Sequence, residues 1–480
     1  MQSNTLIVLL RSFSPKEINA FRDFLISPYF NKKNSVIKLF EILRKQYPDF
    51  SGEEVSKNNI YSQLFPGKTY NDSNFRVLVH NLNELAKKFL AYINFEKDKT
   101  EFDYRQILEL MNKKQYGNLD KLLSKLSVSL ENRDMNAEEF AFQKFRLEDE
   151  KLYYLSISHS GLFEKFLDKA DFEKVFQYFL NFYFIKSLRL YINLLNIQII
   201  YKKEFNTEAF EKMLSMIDEK MIAGNPVIEI FYCIVKLFDK YDNKKYYFRT
   251  KEMINKFSET LHFDDISEIY INLTNYCNRK ISEGKNEFQM EKFELYKEEI
   301  RLKLYELKGW MSPVYYKNLV ILALNLKEND WVRDFILGYK HELPEGTREN
   351  VFSYCMALYE LEMKNFEEAL VLLSRIKFDE LYLKYDSKVL QLMIYYEMDA
   401  QESLISSMEA FRQFLSNNKL LPDNKKELYS NFYNTFNKFL NCKKKNDDAG
   451  IEILRINLNG ALPLSNKPWV VSKINEYFSK

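Results

Sequence analysis

The residues of this chain that could do chemistry are few and far apart. The histidines are His80, His159, His262 and His341, and the cysteines are Cys233, Cys277, Cys355 and Cys442. A zinc site needs closely spaced pairs such as CxxC or HExxH, because two ligands must reach one ion from one short segment. Neither spacing occurs here. A Cys–His or Ser–His nucleophile likewise has no local signature. Gly67-Lys68-Thr69 ends like a phosphate-binding loop, but that loop needs a glycine five residues before Gly67, where its backbone amides close around the phosphates. Position 62 is Ser62, and Pro66-Gly67 reads as a turn between helices. No catalytic residue, cofactor-binding residue or metal ligand is therefore assigned, and the expectation is a non-enzymatic protein with no cofactor.

The elements that carry these residues follow from composition. Only 11 Gly and 10 Pro occur in 480 residues, about a third of ordinary usage of ~12%. A sandwich or barrel would need a Gly- or Pro-bearing turn roughly every 8–12 residues. The predicted class is all-α. Seventy Lys and Arg against 68 Asp and Glu leave a net charge of +2, too weak a field to argue for nucleic acid or a membrane surface as partner. Residues 1–100 are mildly basic, with 15 basic against 10 acidic side chains. No apolar run exceeds six residues, the length reached at 230–235 and 319–324, whereas a bilayer helix needs ~20. Residues 6–10 are apolar but lack the flanks of a secretory signal. Isolated cysteines point to a reduced, cytoplasmic protein.

Ser14-Pro15-Lys16-Glu17 is a strong helix start: Ser as cap, Pro with φ already set, and Glu three residues beyond the cap to close the box. Ser27-Pro28 ends that helix. Further helices are predicted over about 35–47, 58–65 and 73–95, the last capped near Asn71 or Asp72. Segments 119–130, 138–155, 172–184 and 188–201 carry apolar residues at three- and four-residue intervals. Residues 172–201 are so aromatic that burial on two sides is expected.

Toward the C-terminus Trp331, Phe366 and Gln401 recur at intervals of 35 residues, a period that belongs to helix pairs. Apolar helices over 319–326, 352–361 and 389–396 precede them. Ala357, Phe366, Ala369 and Leu373 fit a tetratricopeptide-like pattern, and the flanking units are degenerate versions of it. An earlier pair lies over 266–281 and 288–307. The predicted architecture is an α-solenoid of stacked helix pairs over residues 101–480, clearest at 313–416, after a helical N-terminal cap of residues 1–100.

Such an array predicts a protein–protein interaction or scaffold role, with a concave groove for a protein or peptide partner. On the best-fitting register Tyr316, Leu319, Tyr354, Leu358, Met393 and Tyr396 point into it. That surface is aromatic and apolar, without the Lys and Asn that would hold a terminal carboxylate, so an apolar or amphipathic segment is expected. The alternative is a DNA-binding regulator, in which helices 58–65 and 73–95 form a helix-turn-helix presenting Arg76, Lys87 and Lys88. Asp72 at the start of the second helix and the lack of a wing over 94–100 argue against it. Neither nucleic acid nor membrane is the expected partner.

Three peptides, Ser27-Pro28-Tyr29-Phe30-Asn31-Lys32, Leu64-Phe65-Pro66-Gly67-Lys68-Thr69-Tyr70-Asn71-Asp72 and Asn275-Tyr276-Cys277-Asn278-Arg279-Lys280-Ile281, together with the degenerate repeats, carry a resemblance. The chain resembles, over essentially its whole length, a bacterial family of all-helical repeat proteins with tetratricopeptide-like pairs. The resemblance implies that fold and no particular activity. Helix content should exceed about 65%, against ~30–35% for an average domain, and a circular-dichroism spectrum measures it.

Overall fold

Local chemistry sets the first helices. Ser14 Oγ accepts from the Glu17 amide at 3.2 Å while the Glu17 carboxylate accepts from the Ser14 amide at 2.9 Å, so two otherwise orphaned donors are satisfied. The helix Pro15–Ile26 follows. That backbone hydrogen bond, with one from the Ser14 hydroxyl, holds the Glu17 carboxyl below its ordinary pKa. Asn71 Oδ1 accepts from the Asn74 amide at 3.0 Å and opens the helix Asp72–Lys97. Gly67, at φ 79°, makes the preceding turn.

The computed structural model describes residues 4–158, 164, 167–218, 224–238, 244–305, 309–377, 381–417, 423–459 and 463–479. It is 80% helix, and no strand occurs among the described residues. The chain divides into two compact units, Met1–Tyr183 and Phe184–Lys480.

In the first unit, one core gathers Leu6 through Phe89. At its centre Phe21 meets Phe40 edge-on at 4.9 Å and Phe89 at 5.2 Å. Such aromatic pairs add about 0.5–1.5 kcal/mol each beyond burial. A second core, Tyr104 to Tyr154, forms from the helices Lys99–Asn112, Leu119–Glu131 and Ala137–Ser158. The buried Tyr104 hydroxyl donates to the Gln143 carbonyl at 2.7 Å, and the Arg146 guanidinium lies 4.0 Å over its ring.

The second unit packs helices in two ways. Neighbours in sequence pair, as Phe263–Ser282 does with Glu287–Arg301 and Glu345–Glu362 with Phe366–Ser374. Alternate helices also touch: Pro313–Asn325 packs on Glu345–Glu362, which packs on Leu381–Glu397. One continuous hydrophobic core runs from Phe293 to Ile474.

Residues 172–201 differ from expectation. They form a single helix, Phe172–Tyr201, since nothing in 184–188 breaks the helical ladder. Only its middle, Phe184 to Ile192, is buried. Phe172, Phe176, Ile199, Ile200 and Tyr201 are exposed, so the expected burial on two sides does not extend to the ends.

A shared helix stop recurs. Lys114, Gly284, Lys327, Lys364, Asp399 and Asn446 all have positive φ. In each case the next amide reaches back to the carbonyl five residues earlier, as Asn365 does to Glu360 at 2.8 Å and Ala400 to Tyr395 at 3.0 Å. This closes the last turn of a helix through a left-handed residue. Only one of the six is glycine. An L side chain in this conformation costs about 1–2 kcal/mol, partly offset on substitution because glycine frees the unfolded chain. Lys364→Gly should therefore stabilise the protein by about 0.5–1 kcal/mol, read as a raised denaturant midpoint, whereas Lys364→Val should lower it.

Candidate functional site

A cavity of about 520 Å³ in the second unit is built from three alternate helices and the C-terminal segment. On Pro313–Asn325 one stripe, Tyr316, Leu319, Val320 and Ala323, faces the core. The adjacent stripe, Lys317, Asn318, Ile321, Leu324 and Asn325, lines the cavity. Tyr354, Leu358 and Leu361 enter from Glu345–Glu362, and Asp386, Met393 and Glu397 from Leu381–Glu397. Trp469, Lys473 and Glu476 of the helix Lys467–Phe478 complete the wall.

Several of the charges there are paired. Lys317 Nζ pairs with Asp386 Oδ2, and the Tyr429 hydroxyl donates to Asp386 Oδ1 at 2.7 Å. Lys327 pairs with Glu362 at 2.5 Å. Lys473 lies 2.8 Å from both Glu397 and Glu476, and Trp469 Nε1 donates to Glu397 at 2.8 Å. Burial alone would lower the Lys473 pKa, but its hydrogen bonds to the two carboxylates outweigh burial and raise it. Tyr354 is 2% exposed and forms no hydrogen bond through its hydroxyl among the described residues. Burial, then the Asp386 charge, hold that hydroxyl well above its ordinary pKa. It is a neutral donor at the cavity wall.

The six residues expected to face a groove separate into three groups. Tyr354, Leu358 and Met393 reach the cavity. Tyr316 and Leu319 do not: both are fully buried, and the Tyr316 hydroxyl donates to the Ile336 carbonyl at 2.7 Å. The correction is one residue of register, because the neighbouring Lys317 and Asn318 take the outward positions. Tyr396 is half-buried in an aromatic group with Phe436 and Trp469, both 5.6 Å away, and accepts from Lys443 at 3.1 Å. The wall also carries Lys317, Asn318, Asn325 and Lys327, where the repeat register predicts an aromatic surface without Lys and Asn. Polar interruptions at 317–318 and 325 in an apolar helix are the signal that locates this face. Nothing in the sequence signals Trp469 or Lys473, which arrive from 72 residues or more beyond their partner Glu397.

Elsewhere, His80 and His341 are exposed, His262 caps the helix Phe263–Ser282 through Nδ1, and His159 lies outside the described residues. Among the described residues, no three His, Cys, Asp or Glu come together to hold a metal ion. The four cysteines are free and buried. Burial pushes the Cys233 thiol up to about 12 and the Cys277 thiol up to about 11, so both stay protonated and weakly nucleophilic near neutral pH. Among the described residues, no helix is long and apolar enough to cross a membrane. No protein-family model matches the chain, and no curated protein matches it.

Tyr354 separates packing from polar contact. Tyr354→Ala should cost about 3–5 kcal/mol, as for other buried aromatic truncations. Tyr354→Phe should change stability by less than about 1 kcal/mol, because no hydrogen bond is lost. Urea unfolding of both variants checks the pair.

Proposed function

We propose that this chain is a non-enzymatic protein-binding protein, whose helix pairs form a degenerate tetratricopeptide-like solenoid that holds an amphipathic segment of a partner in the 520 Å³ groove. Two features favour the solenoid. Alternate helices of residues 313–397 touch, and the turns at Lys327, Lys364 and Asp399 repeat one left-handed geometry. Equal turns impose equal pair geometry, which is what stacking requires.

The observation that carries the binding role is the composition of the groove. Ile321, Leu324, Leu358 and Met393 offer an apolar strip, flanked by the Lys317–Asp386 and Lys473–Glu397 pairs. An amphipathic segment would bury its apolar face on that strip and exchange hydrogen bonds with the charged rim. The Tyr354 hydroxyl, without a hydrogen bond among the described residues, adds a fixed donor. Tyrosine is enriched among residues that dominate binding energy.

The DNA-binding alternative has less support. Arg76 is paired with Asp72 at 2.7 Å and Lys87 with Glu84 at 2.8 Å, so two of its three proposed phosphate contacts are already neutralised within their own helix.

Panning a peptide library against the full chain provides a ligand for the test. Ile321→Glu, at a half-buried wall position, should weaken the selected peptide at least tenfold while leaving the melting temperature within a few degrees. Hydrogen-exchange protection should fall on residues 313–325 and 345–362. Protection confined to other segments, with unchanged affinity in the variant, would remove the groove from consideration.

A further inference from the structure

A second cavity in the same unit, about 300 Å³, shares no lining residue with the groove. Its polar side chains are Asn196, Asn272, Asn275, Asn278, Arg279 and Ser282. Its apolar wall comes from Ile199 and Ile200 on the helix Phe172–Tyr201, with Leu237, Phe238 and Tyr276. Both isoleucines are exposed. No acidic side chain lines this cavity among the described residues.

Arg279 is the unusual member. Its guanidinium sits 5.3 Å from the Phe238 ring and 5.4 Å from the Tyr276 ring, and its Nη2 donates to the Leu237 carbonyl. No carboxylate pairs with it among the described residues. Glu283, the acid whose field reaches it, is held by Lys280 at 3.1 Å. A guanidinium has five donors, and one carbonyl leaves most of them unused. Partial burial with no paired carboxylate among the described residues is costly for a permanent cation, and burial lowers the Arg279 pKa. Around it, Asn275 and Asn278 form no side-chain hydrogen bond among the described residues. Asn196 donates to Asn272 at 3.1 Å, and Asn272 donates onward to the Glu268 carbonyl at 2.9 Å. That chain fixes the Asn272 amide and leaves the Asn196 carbonyl oxygen as an acceptor.

We propose that this cavity binds a carboxylate carrying an apolar body, with the carboxylate on Arg279 and the hydrocarbon on Ile199, Ile200 and Phe238. A carboxylate matches the planar guanidinium fork with two parallel hydrogen bonds. Asn275 and Asn278 donate to the oxygens that the fork leaves open. Size and apolar lining select a ligand of about ten non-hydrogen atoms over a bare inorganic anion. The same chemistry occurs in a free aliphatic or aromatic acid and at the C-terminus of a peptide ending in a bulky apolar residue.

The test uses the full chain and four probes: octanoate, N-acetyl-leucine, the tripeptide Gly-Gly-Leu, and its C-terminal amide, each followed by saturation-transfer NMR and calorimetry. Carboxylate probes should bind and the amide should bind at least tenfold more weakly. Octanoate and N-acetyl-leucine binding as well as the tripeptide points to a free acid as the source; a clear preference for the tripeptide points to a chain end. Arg279→Gln should weaken every carboxylate probe at least tenfold, and Arg279→Lys by less. Since Arg279 also packs between two rings, Asn275→Asp is the second variant. It changes an exposed residue, places a carboxylate beside Arg279, and should block the probes while raising the melting temperature. Failure of all carboxylate probes to bind at 5 mM, equal binding of the amide, or undiminished binding in Asn275→Asp would each overturn the proposal.

Discussion

A helix that ends in a left-handed residue leaves the next helix only one direction in which to start. The amide after Lys364 bonds the Glu360 carbonyl, the amide after Asp399 bonds Tyr395, and Lys327 heads the same arrangement. In each of these three the following helix begins two residues beyond the left-handed position. Helix Pro313–Asn325 can therefore return to Glu345–Glu362, and that helix to Leu381–Glu397. The cavity wall exists because these three helices lie side by side. In a chain with 11 glycines, Lys and Asp take the strained position, and the cost is carried by the buried apolar surface on either side.

A charged pair and a hydrogen bond to a carboxylate then tie the wall together across long stretches of sequence. Lys317 and Asp386 are 69 residues apart, and Glu397 meets Trp469 across 72. Such half-buried pairs add little net stability, but breaking one strands the other partner. They therefore select one arrangement of the wall more than they strengthen it. The Arg279 cavity is the counter-example in the same unit, a cation between two rings with no carboxylate paired to it among the described residues.

Helix identity was legible at the level of single residues. Ser14 and Glu17 close the capping box that their spacing predicts, Asn71 caps the long helix that follows Gly67, and Phe366 opens the helix Phe366–Ser374. Side-chain direction was legible only in part. Tyr354, Leu358 and Met393 line the cavity, whereas Tyr316 and Leu319 turn into the core. On an apolar helix with two buried flanks, periodicity narrows the outward face to within one residue, or about 100° of rotation, and no further.

Composition and 3.6-residue spacing are properties of short segments, so the helices, their caps and the stops between them follow from neighbours a few positions away. Which faces meet does not. The Lys317 pair, the Trp469 contact and the seat of Arg279 on Phe238 depend on segments tens of residues apart arriving at one place. Arrival is settled by the summed burial of many apolar contacts, none of which carries a local signature. The chain thus announces an all-helical body through its residues, while the two cavities and the charges inside them emerge only when that body is packed.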